Sequence, residues 1–346
     1  MTEHPWNNLH GGDQVGPASE DDCLDLINSL FPERSGHFPL ERDDDCAVLL
    51  PPPGPLALST DYFVENVHFR ACYFTPAEAG AKALGVAVSD LAAVGAAPLG
   101  FSLGLMLPKS LSRAALADCL AGMAAKARSC AIILTGGDLS AGPCLSFCLT
   151  VWGAPAIQGA PFPARGRAGP GERLFLIGRA GLARVGLAAL EANGRKALKA
   201  YPSACAAHLD PPVFLAEGRA LARLALKEPR ISLMDCSDGL ARDLPRLLGG
   251  PGADLEIRPE LIHEEVRREA GRLGLAAEKI FLAGGEDYAL IGACPDLVWP
   301  SVQEAVPAAR LLGRVRKDAL FFCNGAPLDL ASLAGFDHFA PKSALP

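Results

Sequence analysis

Ser59, Thr60 and Asp61 are consecutive, and two hydroxyls beside a carboxylate make a set of hard oxygen donors. Such donors suit Mg²⁺ better than a soft metal. A Ser-Thr-Asp run also makes an ordinary turn or helix N-cap, so its company decides its meaning. Acidic residues recur along the chain as Asp43-Asp44-Asp45, Asp61, Asp90, Asp138, Asp235, Asp238, Glu286 and Asp287. The apolar runs beside them place most of these at strand ends or turns, where side chains meet a ligand. Asp90 instead falls in an apolar stretch with Leu84, Val88 and Leu91. A carboxylate buried there needs a partner or a cation.

Periodicity and chain breakers give the elements that must position these groups. Residues 1–20 are polar and read as a frayed extension. An amphipathic helix is expected over 21–31. The apolar run Cys46-Ala47-Val48-Leu49-Leu50, stopped by Pro51-Pro52-Pro53-Gly54, reads as a buried strand. Asp43-Asp44-Asp45 just before it form a second candidate group of metal ligands. Leu56-Ala57-Leu58 predicts a strand that delivers Ser59-Thr60-Asp61 at its end. Thr75-Pro76-Ala77-Glu78 is a helix start, with Thr at N-cap, Pro at N1 and Glu at N3, and the helix runs to about Val94. A strand over 101–107, a helix over 112–128 and a strand over 131–134 follow. The last runs into Thr135-Gly136-Gly137-Asp138, where glycines let the backbone approach a ligand closely. A strand over 145–153 closes this half.

The Pro/Gly/Arg-rich stretch 154–171 is the expected linker, and its Arg165 and Arg167 could reach ligand phosphates. Beyond it the pattern predicts a strand over 173–177, helices over 180–192 and 211–226, and a strand over 231–234. That strand ends in Asp235-Cys236-Ser237-Asp238-Gly239. A helix follows from about Leu240 with Ser237 or Asp238 as its N-cap, and a helix N-terminus attracts phosphate. Gly284-Gly285-Glu286-Asp287-Tyr288 precedes a strand over 289–291. The reading is an α/β chain of two domains, 21–153 and 172–346.

Composition removes other classes. Among 346 residues, 32 are Lys or Arg and 39 are Asp or Glu, for a net charge of −7. That is the wrong sign for a nucleic-acid binder held by a basic face, though bound metal can invert the local sign for a phosphate substrate. The 11 cysteines are scattered without a Cys-x-x-Cys pair, which argues against zinc and disulfide frameworks and for a reducing cytoplasm. There is no signal-peptide pattern, and no apolar run approaches the roughly 20 residues of a membrane span. Neither a P-loop nor a Gly-x-Gly-x-x-Gly fingerprint is present.

Taken together the short motifs resemble thiamine-monophosphate kinases. The carrying residues are Asp44-Asp45-Cys46-Ala47, Ser59-Thr60-Asp61, Val67-His68-Phe69, Lys82-Ala83-Leu84 and Ser89-Asp90-Leu91-Ala92-Ala93. Gly136-Gly137-Asp138, Ser237-Asp238-Gly239-Leu240, Gly284-Gly285-Glu286-Asp287-Tyr288 and Gly335-Phe336-Asp337-His338-Phe339 continue the series. Each is weak alone; their order and spacing are specific. The resemblance implies a two-domain architecture similar to aminoimidazole ribonucleotide synthetase, with α+β type layers, a dimerising N-terminal domain and nucleotide in a cleft. It implies transfer of the ATP γ-phosphoryl group to thiamine monophosphate with several Mg²⁺ ions. Carried over by position, the metal ligands would be Asp45, Ser59, Thr60, Asp61, Asp90, Asp138, Asp235 and Asp238. ATP would meet Gly137, Asp138, Arg165 and Ser237; the acceptor would meet His68, Glu286 and Phe336. Asp43, Ala87, Leu139 and Cys236 depart from residues often found in the family, and none of them removes an expected ligand.

The chemistry implied needs no enzyme nucleophile and no strong base. A phosphate monoester has a second pKa of about 6, so its attacking oxygen is largely deprotonated at neutral pH. The obstacle is repulsion between two anions, which carboxylate-held Mg²⁺ would relieve. Selenophosphate synthetase-like chemistry would want a reactive Cys in a Gly-rich N-terminal segment, whereas Cys23 lies in a helix-like Asp-Asp-Cys-Leu-Asp run. A hydrogenase-maturation relative would want a C-terminal Cys, and the given chain ends in Pro346. An aminoimidazole ribonucleotide synthetase would lack the Gly-Phe-Asp-His-Phe ending. A non-catalytic nucleotide-binding regulator on the same scaffold is the rival of another class.

Overall fold

Side chains along 57–64 alternate between the two faces of strand β1 (Ala57–Val64). The computed structural model that shows this describes residues 4–9, 16, 17, 19–40, 42 and 44–333; Asp43 and Phe336 lie outside them. The chain divides into two units, one of residues Met1–Leu91 and Ala97–Ala154, the other of Ala92–Ala96 and Pro155–Pro346.

In the first unit β1 pairs antiparallel with β4 (Ser146–Pro155), from Ala57 opposite Gly153 to Val64 opposite Ser146. With β2 (Ala96–Leu107) and β3 (Ile133–Ala141) they make a four-stranded sheet in the order β1-β4-β2-β3, with β2 and β3 parallel. Two helices, α2 (Pro76–Ala93) and α3 (Arg113–Cys130), belong with this sheet. The predicted capping box forms: the Thr75 amide donates to Glu78 Oε2 at 2.8 Å, and the Glu78 amide donates to Thr75 Oγ1 at 3.2 Å. Small residues let α2 and α3 touch backbone to backbone. A Cβ at Gly80 would stand 1.9 Å from the Cys119 carbonyl oxygen, and one at Gly122 would stand 2.1 Å from that of Ala77. The helix expected over 21–31 is α1 (Glu20–Leu30), with Ser19 accepting from the Asp22 amide as N-cap.

Three expectations fail here. Cys46-Ala47-Val48-Leu49-Leu50 is not a buried strand: it has no regular structure, and Val48 and Leu50 are exposed. Three prolines follow at once and supply no amide donors to a ladder. Ser59, Thr60 and Asp61 lie inside β1, and Asp138 lies inside β3, because both strands run on past the expected ends. The N-terminal residues 4–9 are not frayed. They include a 3-10 turn (Pro5–Leu9), with Trp6 buried, stacked 5.9 Å from Phe69 and donating Nε1–H to the Phe74 carbonyl at 2.8 Å. One large aromatic with a satisfied polar atom outweighs the polar composition around it.

The second unit has a seven-stranded sheet built from β5 (Arg173–Ile177), β6 (Ser232–Cys236), β7 (Ala253–Leu255), β8 (Ala289–Cys294), β9 (Arg310–Val315), β10 (Phe321–Cys323) and β11 (Ala326–Pro327). Its order is β11-β10-β7-β9-β5-β8-β6. The pairings β5–β8, β5–β9, β6–β8 and β7–β9 are antiparallel. The helices that concern the site are α4 (Leu182–Asn193), α5 (Pro202–Leu209), α6 (Leu215–Ala225), α7 (Leu240–Leu248) and α8 (Glu264–Leu273). The single helix expected over 211–226 is therefore shorter, and α5 before it was not expected. Leu174, Leu176, Leu240, Leu244, Phe281 and Ile291 are among the residues of one apolar core. Among the described residues no helix is long and apolar enough to cross a membrane.

Candidate functional site

The strand period of two sorts the Ser-Thr-Asp run. Ser59 and Asp61 share the face of buried Phe63, whereas Thr60 lies with exposed Leu58 and Tyr62. The Thr60 hydroxyl accordingly meets that of Thr150 across the β1–β4 pair, Oγ1 to Oγ1 at 2.9 Å. On the inner face Ser59 Oγ donates a hydrogen bond to Asp90 Oδ2, the polar residue noted in α2. Burial pushes the Asp61 carboxyl up to about 6, and the neighbouring Asp90 carboxylate adds to the shift. Two carboxylates and a hydroxyl thus share one half-buried place, where a cation would relieve both burial and repulsion. Among the described residues no three His, Cys, Asp or Glu side chains converge as a complete metal cage. A partial set of hard oxygens fits Mg²⁺, which keeps waters and phosphate oxygens among its six ligands.

The other candidates of the first unit stand apart. Asp138 is exposed on β3, opposite Gly104, and β3 and β1 are opposite edges of the sheet. Three strand spacings, about 14 Å, separate those edges. Gly137 is required by packing: a Cβ there would stand 1.9 Å from the Leu103 carbonyl oxygen. Asp45 is exposed, its amide donating to Asp44 Oδ1 at 2.8 Å. His68 follows β1 in a turn, where its Nδ1 accepts from the Val64 amide at 3.0 Å. A nitrogen that accepts carries no proton, so neutral His68 holds its proton on Nε2. Its ring stacks on Phe63 at 5.8 Å, Phe63 on Phe69 at 5.1 Å, and Phe69 on Trp6.

In the second unit Asp235 is buried in β6, opposite Leu290. Asp238 is not the N-cap of α7. Gly239 holds that position with φ +99° and no side-chain cap, while Asp238 Oδ2 accepts from Arg246 at 2.6 Å. Arg246 also donates to buried Asp243 Oδ1 at 2.9 Å, and Asp243 Oδ2 accepts from the Asp238 amide at 2.9 Å. Ser237 gives its carbonyl to the Glu286 amide at 2.7 Å. Arg165 is exposed, next to Gly166, whose amide donates to the Leu247 carbonyl at 2.7 Å. It therefore stands by the C-terminal end of α7, whereas Ser237 precedes the N-terminal end.

Glycines allow the loops of this unit to meet. A Cβ at Gly239 would stand 2.5 Å from the Gly284 carbonyl oxygen, and one at Gly284 would stand 2.4 Å from Gly181 Cα. In the loop so formed, Glu286 and Asp287 take different tasks. Asp287 is buried and accepts from the amides of Gly181 at 2.6 Å and Ala183 at 2.8 Å, fastening the N-terminus of α4. Burial pushes it up to about 7, against the pull of these backbone donors. Glu286 remains partly exposed and pairs with His208 of α5, Nδ1 to Oε2 at 2.9 Å. Arg184 of α4 is electrostatically coupled to it, with its own pKa lowered chiefly by burial. Sequence reading found neither His208 nor Arg184; both are single residues in helices, and no local spacing ties them to Glu286.

The Asp61–Asp90 pair has a signed consequence for stability. The Asp61 pKa rises from 3.8 in the free residue to about 6 in the fold. Its contribution to metal-free stability is full below pH 3.8 and is lost as pH rises through about 6. The expected loss is on the order of 3 kcal/mol. In EDTA, Asp61→Asn should therefore be more stable than wild type at pH 7.5, with the advantage absent near pH 4. Urea unfolding at both values checks this; a variant less stable than wild type at pH 7.5 contradicts the repulsive pair.

Comparison with known proteins gives the family and the fold. The family model for AIR synthase related protein, N-terminal domain, matches residues 43–154. The thiamine-monophosphate kinase of Synechococcus elongatus is 32% identical over 336 residues, covering 94% of this chain and 98% of its own. The crystal structure of thiamine-monophosphate kinase from Stenotrophomonas maltophilia matches with a TM-score of 0.75 at 27% identity, over 88% of this chain and 96% of that one. A structure of AaThiL complexed with AMPPCP and TMP shares the fold, with a TM-score of 0.72 at 24% identity over 92% and 97% of the two chains. On a likeness that spans nearly the whole of both sequences, this chain belongs to the thiamine-monophosphate kinase family of enzymes and has the AIR synthase-like fold.

Proposed function

We propose that the chain transfers the γ-phosphoryl group of ATP to thiamine monophosphate, giving thiamine diphosphate and ADP. The observation that carries this reading is the Ser59–Asp61–Asp90 cluster, a partial hard-oxygen set in a chain of this family. The related AaThiL complex, with AMPPCP and TMP together, supports a nucleotide and a phosphorylated acceptor as the pair of substrates. A phosphate oxygen of the acceptor attacks the γ-phosphorus. The bond from that phosphorus to the β–γ bridging oxygen breaks, and its electron pair leaves with ADP. The acceptor phosphate is already deprotonated at neutral pH, so no protein base is assigned.

Bound Mg²⁺ would supply charge neutralisation between the ATP triphosphate and the acceptor monophosphate. In the first unit Ser59, Asp61 and Asp90 would hold one ion, and Asp45 and Asp138 are assigned to others; in the second unit Asp235 and Asp238 are assigned to further ions. The Thr60 hydroxyl faces away from Asp61 and is not assigned to the same set. Gly137, Asp138, Arg165 and Ser237 are assigned to ATP. His68, through Nε2–H, and Glu286 are assigned to the acceptor, as is Phe336. A selenophosphate synthetase-like use of Cys23 is disfavoured, because burial and then Asp22 push that buried thiol's pKa up and a thiolate is the reactive form.

A coupled ADP assay over a panel of phosphorylated acceptors tests the function. ADP formation should depend on thiamine monophosphate, vanish with EDTA, return with Mg²⁺ better than with Ca²⁺, and fall at least about a hundredfold in Asp61→Asn. ADP formation indifferent to that acceptor overturns the reading.

The same proposal includes a homodimer through the first unit. Leu58 and Tyr62 are each 66% exposed on one face of edge strand β1, an apolar surface that a second copy would cover. Sedimentation at micromolar concentration should give a dimer that Tyr62→Arg weakens; a wild-type monomer contradicts the pairing.

A further inference from the structure

We propose that His208 is a positioning residue, whose Nδ1–H aims the Glu286 carboxylate at the acceptor; the proposal rests on the reading of Glu286 as an acceptor-binding group. His208 is only 1% exposed and stands 2.9 Å from Glu286 Oε2, whereas the Glu286 side chain is 23% exposed. One carboxylate oxygen is thus engaged from the protein interior while part of the group reaches the surface.

The backbone of Glu286 shows what this arrangement costs. Its φ is +64°, in the left-handed region, and Tyr288 has φ +48°. Glycine adopts that region readily, and a longer side chain there is strained. Gly284 and Gly285 precede it directly, yet the position carries a glutamate, held by its amide to Ser237 and by its carboxylate to His208. A carboxylate kept at a strained, partly exposed position points to a task for its oxygens.

The holder is itself rigid. At the other end of α5, Glu265 of α8 accepts from the amides of Ser203 at 3.2 Å and Ala204 at 2.7 Å. Helix α5 lies against α4 so closely that a Cβ at Gly186 would stand 2.0 Å from the Ala204 carbonyl oxygen. His208, in the last turn of α5, therefore cannot follow Glu286 if the loop shifts. Arg184 of α4 and the adjacent Asp287 act on the same carboxylate by charge. The contact from His208 Nδ1, at 2.9 Å to Oε2, is directional and favours one rotamer of the glutamate.

The alternative is a plain staple between α5 and the loop, and two substitutions separate the roles. His208→Leu removes the donor and keeps volume. His208→Asn returns an N–H close to the place of Nδ1–H. The proposal expects KM for thiamine monophosphate to rise about tenfold in His208→Leu, as loss of a hydrogen bond to a charged group implies. KM for ATP should stay within about twofold, and His208→Asn should recover most of the loss. An unchanged acceptor KM in folded His208→Leu, an equal rise for ATP, or no rescue by Asn overturns it. Should His208→Leu fail to fold, His208→Gln, with its amide one methylene further out, replaces it and must show the same acceptor-selective rise. Wild-type protein without acceptor-dependent ADP formation would overturn the function itself, a different outcome from an active enzyme indifferent to His208.

Discussion

Two carboxylates sharing one half-buried place is the constraint on which the first unit turns. Burial first, and then the neighbouring Asp90 carboxylate, penalise the ionised form of Asp61, and a cation would relieve both. Stability alone would not retain such a pair. The register of β1 with β4 keeps Ser59 and Asp61 on the inner face. A slip of one residue would turn them to the face of Leu58 and Tyr62 and present Thr60 in their place. The ring stack from Trp6 through Phe69 and Phe63 to His68 adjoins the end of the same strand. Site and core of this unit are therefore set by one strand pairing.

The second unit meets a different demand, that of bringing backbones close. Gly181, Gly239 and Gly284 remove the Cβ atoms that would keep three loops apart. The space gained is used by Glu286 and Asp287, adjacent in sequence and opposite in role. Asp287 accepts backbone amides and anchors α4; Glu286 faces outward, with His208 behind it. Asp238 and Asp243 share Arg246, so one carboxylate assigned to metal also accepts from a guanidinium.

Much of this was legible in the sequence, for local reasons. The capping box at Thr75, the Gly-Gly pairs and the polar Asp90 in an apolar helix each announce a local geometry. The ends of β1 and β3 were not legible, because pairing with β4 and β2 carries both strands through residues that resemble turns. The apolar run 46–50 satisfied a burial pattern, but the prolines after it prevent a ladder. Trp6 could have been noticed as a large aromatic in a polar stretch. His208 could not, since its partner lies far along the chain and only the packing of α5 on α4 brings the two together.

The central claim, that the acidic residues are a cation site before they are anything else, is tested most directly by counting protons. Mg²⁺ should be titrated into the nucleotide-free protein by calorimetry at pH 6 and pH 8, in buffers of differing ionisation enthalpy. With Asp61 half protonated near pH 6, the account predicts release of about half a proton per ion bound at that site. It predicts essentially none at pH 8, and none at either pH in Asp61→Asn. Mg²⁺ binding with no proton release at pH 6, or with the same release in Asp61→Asn, would contradict it.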